Sequence, residues 1–435
     1  MGNQTEPGSL SKHATPQPSQ GQGGGVPSLL KSGSAGYAAV LLCGLLLAFL
    51  LGRATVRDSS RPLRQSRWDG AIAAKTGPWG EVERTPITIA ARGEDLPAKL
   101  LESGGVTRWF FKDLSPDALA KLMQAMGVPD SLREQLLKPP VLSAGTNGVV
   151  LSPPCELLFS LDTEARRALY KVRAAPPQTG PDIFFLHSMP FDERFRDSGL
   201  SPETLARLKQ LCCTEGDCEV FVGLPCLLAT VPTNEEKVRL VKALTRQKTM
   251  LLRLHVSSGS DMDSLATYWG KACWNTDVRA ILESLSRVSG GAYVDIIELL
   301  PPFPSSLLYT FPSPDNPLKG SVAARDCRWT SFNFFRDPPD DRYSDDAYVT
   351  ESLKRDHYPV LSDPRFGDLV VFITSSGTLV HVAVFLADGV VYTKNSSNSL
   401  NPWMLETVAE VQKEYSFGLP PGESLTVGYF RNKYY

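Results

Sequence analysis

The sequence has no surplus of positive charge. Its 435 residues carry 45 lysines and arginines against 47 acidic residues, a formal net charge of −2. Neutralising a phosphate backbone needs a basic excess, so nucleic-acid binding is excluded as the main role. Histidine is scarce, at 5 residues, and no His-Glu-x-x-His pair, Gly-x-Gly-x-x-Gly turn or lysine-bearing phosphate loop occurs. Zinc proteolysis and nucleotide hydrolysis therefore lose their usual signatures, and no motif implies a cofactor. No internal repeat, heptad or collagen period is present, which excludes solenoids and fibres. What remains is ordinary globular usage, 42% apolar and 21% charged, in a chain long enough for two or three domains of roughly 150 residues each.

Residues 1–35 are rich in Gly, Ser, Gln and Pro and read as a disordered tail. No charge occurs between Ser32 and Gly52, and Ala38 to Leu51 is an almost unbroken apolar run. A helix of about 20 apolar residues spans roughly 30 Å of hydrocarbon, so residues 36–52 are expected to form a single transmembrane helix in contact with the lipid bilayer. A cleaved leader would need a charged segment directly before the run and small residues after it, but only Lys31 is near and Leu51-Gly52-Arg53-Ala54-Thr55 is a poor cleavage site. Orientation is contradictory. Arg53, Arg57, Arg61, Arg64 and Arg67 lie just after the helix and by the positive-inside rule hold the C-terminal bulk of the chain in the cytoplasm. The cysteines point the other way. Cys212, Cys213, Cys218 and Cys226 are clustered, with Cys155 and Cys273 outside the cluster; such a set suits disulfides in an oxidising space, buried thiols, or a metal. The localisation expected is membrane, single-pass, with the bulk of the chain extracytoplasmic despite the arginines.

Residues 53–85, rich in Arg, Ser, Pro and Gly, read as a juxtamembrane linker. Residues 86–314 read as a mixed α/β region of unknown role. Ser115-Pro116-Asp117, Ser201-Pro202-Glu203 and Thr233-Asn234-Glu235 each open a helix, with the hydroxyl as cap and an acidic residue in the first turn. A further helix starts near Asn275 or Thr276. Ile183–Leu186, Glu219–Val222 and Thr249–His255 are extended candidates. His187 and His255 end two of these runs, and Tyr268, Trp269 and Trp274 form an aromatic patch read as core.

The last part of the chain carries chemistry. Trp329, Phe332 and Phe335 form a helical stripe that begins beside Cys327. A thiol at a helix N-terminus has its thiolate favoured by the dipole, as a nucleophile requires. Phe366-Gly367-Asp368-Leu369 turns into an apolar strand. A second strand, Leu379 to Leu386, carries His381, and Asp388-Gly389 makes a hairpin into Val390–Asn395. A cysteine on a helix with a histidine on an antiparallel strand is a layout for thiol catalysis.

At these residues the chain resembles the NlpC-type cell-wall cysteine peptidases, a papain-like family. The resemblance rests on Cys327, Gly367-Asp368-Leu369 and His381-Val382-Ala383-Val384-Phe385 in that order, and covers residues 315–435. It departs from the family at Arg328, where a small residue is usual, and at the third catalytic position, where the usual histidine is missing. The resemblance implies a papain-like domain with a small antiparallel sheet, and hydrolysis of an amide in peptidoglycan peptides. Cys327 would then be the nucleophile and His381 the base. By spacing the orienter of the imidazole falls at Thr393 or Asn395, on one strand face; Asn395 is preferred, since an amide oxygen is a fixed acceptor. The fold class expected is α+β. A catalytically inactive envelope or partner-binding protein, or a thiol-dependent acyltransferase or amidase with a non-cell-wall substrate, are the alternatives.

Overall fold

A computed structural model describes residues 70–435, except 94–95, 97–100, 102–106, 146, 173–182, 187–188, 216–217, 272–277, 313–324, 417–418 and 420–421. The tail 1–35, the apolar segment 36–52 and the linker up to residue 69 lie outside the described residues, as do His187, Cys273 and Trp274. Among the described residues no helix is long and apolar enough to cross a membrane.

The described residues are α+β, and their strands pair antiparallel. In chain order the strands are β1 (Ile72–Ala73), β2 (Glu81–Ile89), β3 (Trp109–Lys112), β4 (Leu142–Gly145) and β5 (Gly148–Leu151). Next come β6 (Ile183–Phe185), β7 (Cys212–Glu215), β8 (Cys218–Val222), β9 (Gln247–Val256) and β10 (Ala292–Asp295). The last six are β11 (His357–Val360), β12 (Leu369–Thr374), β13 (Leu379–Ala387), β14 (Val390–Lys394), β15 (Trp403–Thr407) and β16 (Leu425–Asn432). They build sheets in the orders β1-β2-β9-β10, β3-β5-β4, β6-β8-β7 and β11-β16-β12-β13-β14-β15.

The caps read from sequence are in place. Ser115 Oγ accepts from Ala118 N at 3.1 Å, Ser201 Oγ from Thr204 N at 3.2 Å, and Thr233 Oγ1 from Glu236 N at 3.2 Å. They open helices Pro116–Ala125, Pro202–Leu211 and Asn234–Leu244. Each cap satisfies an amide that would otherwise be orphaned, worth about 1 kcal/mol.

Two large cores divide the described chain, and they do not follow the expected boundaries. One contains Trp109, Phe111, Leu158, Leu211, Phe221 and Leu244, all between residues 91 and 244, joined by Phe311 and Leu400. The other packs Val82, Leu252, Leu254, Trp269 and Leu282 against Trp329, Phe332, Val371, Val384 and Trp403. The C-terminal sheet is therefore not closed off at residue 315. Thr249 Oγ1 donates to Leu405 O at 2.7 Å and accepts from Leu405 N at 3.1 Å, and Tyr268 Oη donates to Leu386 O at 2.7 Å. The linker also ends earlier than residue 85, because β1 and β2 pair into the sheet of β9. Residues 81–89 alternate inward and outward only in part, and the Arg-, Ser-, Pro- and Gly-rich composition up to residue 85 is why 81–85 read as linker.

The cysteine cluster does not bridge within itself where it is described. Cys155 and Cys226 form a disulfide, Cα–Cα 5.2 Å and 71 residues apart in sequence, while Cys212 and Cys213 are free. Successive residues of β7 point to opposite faces, so Cys212 and Cys213 diverge. Cys226 lies instead on the buried side of helix Leu224–Thr230 and meets Cys155 at the start of helix Cys155–Ser160.

Candidate functional site

The Phe366-Gly367-Asp368-Leu369 turn anchors the six-stranded sheet. Gly367 has φ +81°, and a Cβ there would overlap the Phe335 ring, so the position requires glycine. Asp368 is completely buried. Its carboxylate accepts from Arg365 N at 2.7 Å, Arg431 Nε at 2.9 Å, Arg431 Nη2 at 2.7 Å and Lys271 Nζ at 3.3 Å. Burial lowers the Lys271 pKa while Asp368 opposes that shift. Every side of Asp368 is occupied by a fixed donor, so it holds the turn and is not presented to a substrate.

Asp326 caps the helix Cys327–Phe332, its Oδ1 accepting from Arg328 N at 2.9 Å and Trp329 N at 3.0 Å. Trp329 is fully buried against Phe303, ring centroids 5.2 Å apart, and Ser331 Oγ donates to Val382 O at 3.0 Å. The helix is thus pinned to β13 with Cys327 at its first turn. It has only six residues. Cys327 is 6% exposed, and burial pushes its thiol up to about 12, with the Asp326 carboxylate adding to the rise. The N–H of Val382 and the Arg328 side chain act in the opposite direction and lose. The expected dipole-favoured thiolate is corrected here: desolvation outweighs a short helix and the resting thiol is neutral.

His381 sits near the start of β13, where the pairing slips from Phe372↔His381 to Ile373↔Leu379. The extra residue is Val380, a bulge of the kind that re-aims neighbouring side chains. Imidazole and Tyr415 stack at 4.2 Å between centroids, and Nε2 lies 2.8 Å from Thr393 Oγ1. Thr393 Oγ1 donates to Asn395 Oδ1 at 3.2 Å, and Asn395 Nδ2 donates to Glu406 Oε2 at 2.9 Å and Glu414 Oε2 at 2.7 Å. His381 Nδ1 is buried with no partner among the described residues. Burial lowers the His381 pKa to about 3, so the ring is neutral across the physiological range.

Cys327 and His381 line one cavity of about 290 Å³, walled also by Asp326, Arg328, Leu379, Val380, Ser396, Ser397 and Tyr415. Cys327 and His381 thus face a common cavity. The structure places Asn395 one step behind: Thr393, not the preferred Asn395, meets the imidazole. Among the described residues no group of three His, Cys, Asp or Glu is placed to hold a metal ion. His255 belongs to the four-stranded sheet, its Nδ1 3.1 Å from Glu81 and its ring against Tyr293.

Glu406, Glu414, Tyr415 and Lys394 were not read from sequence. Tyr415 and Glu414 come from helix Val408–Ser416, and nothing in its pattern announces a site. Lys394 is completely buried, with Nζ donating to Ser396 O at 2.9 Å and Asn398 O at 3.0 Å and lying 5.5 Å from the centroid of the Trp403 ring. Burial lowers its pKa to about 7. It ties down the loop that supplies Ser396 and Ser397 to the cavity. A lysine at the end of an apolar strand, before a polar loop, is the one local signal that could have flagged it.

Compared with known proteins, the chain matches no protein-family model, no curated protein and no solved structure.

Proposed function

We propose that this chain is a thiol hydrolase, a peptidase or amidase, with Cys327 as nucleophile and His381 as base. One observation carries the reading: the thiol and an imidazole whose Nδ1 has no partner among the described residues line the same cavity. His381 Nδ1 takes the thiol proton as sulfur attacks the carbonyl carbon. The S–C bond forms, the C–N bond breaks, and His381 returns that proton to the leaving amine. Water then attacks the thioester, giving its proton back through His381 to the sulfur as the acid leaves. Arg328 N and Trp329 N are taken by the Asp326 cap, so the N–H of Cys327 itself is the helix-start donor assigned to the oxyanion.

A papain-like arrangement over residues 315–435 is part of the same proposal, supported by a cysteine-bearing helix packed on an antiparallel sheet that carries the histidine. A cell-wall peptide as substrate is supported by the motif resemblance alone. Anchoring in a membrane through residues 36–52 is supported by the uncharged run, and an extracytoplasmic placement by the Cys155–Cys226 bridge. A second reading, a partner-binding protein without turnover, is favoured by the burial of His381 and Cys327, 0% and 6% exposed.

A peptide-like electrophile applied to the full chain separates the two. Mass spectrometry should find Cys327 modified in preference to Cys212 and Cys213, with loss of the preference in His381→Ala. Equal labelling of the three thiols overturns the hydrolase. Digestion of peptidoglycan by the same preparation, read by mass spectrometry of the released peptides, tests the substrate.

A further inference from the structure

We infer that two glutamates remote from the thiol, Glu406 and Glu414, set which ring nitrogen of His381 carries the proton, acting through Asn395 and Thr393. Asparagine and threonine are each ambiguous in isolation. An amide presents an oxygen or an NH2 depending on its flip, and a hydroxyl donates or accepts according to its rotation. The surroundings remove both ambiguities in turn. Asn395 is 3% exposed, and one end of its amide lies 2.9 Å from Glu406 Oε2 and 2.7 Å from Glu414 Oε2. Carboxylates only accept, so that end must be the NH2, and the amide oxygen must face Thr393.

Thr393 takes its own orientation from that oxygen. It is completely buried and its hydroxyl lies 3.2 Å from Asn395 Oδ1, an atom that cannot donate. The threonine proton is therefore committed to Asn395, leaving only lone pairs of Oγ1 toward the imidazole 2.8 Å away. A lone pair there accepts from Nε2–H. The neutral ring, which holds one proton, then has none on Nδ1, the nitrogen with no partner among the described residues. Glu406 lies on β15 and Glu414 on helix Val408–Ser416, so separate elements converge on one amide. Both glutamates are positioning residues, since neither touches the cavity. Their meaning for catalysis rests on the thiol-hydrolase reading; the tautomer itself does not.

The test is nitrogen-15 NMR of the full chain labelled in histidine, which distinguishes Nε2–H, Nδ1–H and doubly protonated rings. His381 is assigned by the signal lost in His381→Gln, and His255 and His357 report in the same spectrum whether a variant is folded. Wild type should show His381 as a single Nε2–H tautomer at pH 7. The double variant Glu406→Gln/Glu414→Gln keeps shape but lets the Asn395 amide flip. It should raise the Nδ1–H form at least fivefold with the other histidines unmoved. Asn395→Leu, which removes the amide, should do the same, whereas Thr393→Ser keeps the hydroxyl and should retain the wild-type pattern. Nδ1–H or imidazolium in wild type overturns the proposal, and so does an unchanged tautomer in whichever of the two disrupting variants is folded. A single Nε2–H tautomer together with an inert Cys327 would leave the relay standing and remove the hydrolase. A reactive Cys327 with an unfixed tautomer would do the reverse.

Discussion

Two buried polar clusters share the six-stranded sheet, and they are finished differently. Around Asp368 the acceptors meet Arg431, Lys271 and the backbone of Arg365, so charge is met by charge. Around His381 the chain runs through Thr393 and Asn395 to two glutamates and stops at Nδ1, which has no partner among the described residues, on a cavity that Cys327 also lines. An unsatisfied buried polar atom costs about 1–3 kcal/mol. The Asp368 cluster avoids that cost and serves the fold. His381 carries it, and a cavity is where such a cost has a use.

The largest expected effect tests the second cluster. Cys327→Ala should lower any amide hydrolysis by a factor on the order of a thousand or more, with His381→Ala close behind, because the pair acts as a unit. Normal turnover by either variant, measured on a synthetic peptide amide, would leave the cavity a structural feature.

Asp368→Ala addresses the first cluster. It strands Arg431 and Lys271 and should cost about 3 kcal/mol in urea unfolding, while peptide-electrophile labelling of Cys327 per folded molecule stays unchanged. A loss of labelling without loss of stability would mean the two clusters are one site.

The pH dependence sharpens the contrast. Burial holds His381 near 3 in the fold, against 6.5 for an ordinary imidazole, so between those values the unfolded chain binds a proton that the fold refuses. Stability is full above pH 6.5 and falls as pH drops toward 3. Cys327 has the opposite sign: raised from 9.0 to about 12, it gives stability that is full below pH 9 and lost as pH rises toward 12. In the same window, alkylation of Cys327 by a small uncharged reagent should rise about tenfold per pH unit. A rate that levels off between pH 6 and 8 would show a thiolate–imidazolium pair instead.

The smallest effects distinguish the orienters. Thr393→Val should lower turnover about tenfold and Asn395→Ala less, since of the two Thr393 is the one hydrogen-bonded to the ring. The reverse order would restore Asn395 to the first position.

Much of the C-terminal architecture was legible. Asp388-Gly389 turns with φ of 44° and 73°, as a two-residue hairpin between right-twisted strands needs. Strands β12, β13 and β14 lie where their apolar runs are, and Cys327 opens a helix. The choice between Thr393 and Asn395 was not legible. Both side chains share a strand face, and the selection depends on Glu406 and Glu414, which reach Asn395 from 11 and 19 residues away. No local pattern encodes that convergence.

The protonation of Cys327 escaped for a related reason. Helix position is a sequence property, but burial is not, and here burial decides the sign. Disulfide choice divides in the same way. Clustering in sequence pointed to Cys212, Cys213 and Cys226 as neighbours, yet of these three only Cys226 is bridged, to Cys155, because helix packing and strand alternation dictate which sulfurs meet.

The sequence by itself determined the local events: capped helix starts, the glycine demanded at 367, the hairpin at 388–389, and a thiol and an imidazole in an order that suggests chemistry. These arise from interactions within a few residues, where dihedral preference and cap geometry decide. Only the tertiary structure decided that residues 81–89 join the sheet of residues 247–256, and that the C-terminal sheet shares its core with an earlier part of the chain. It also decided that thiol and imidazole rest neutral in one cavity, with Thr393 holding the ring. Those outcomes depend on desolvation and on partners far apart in sequence, which no local spacing specifies.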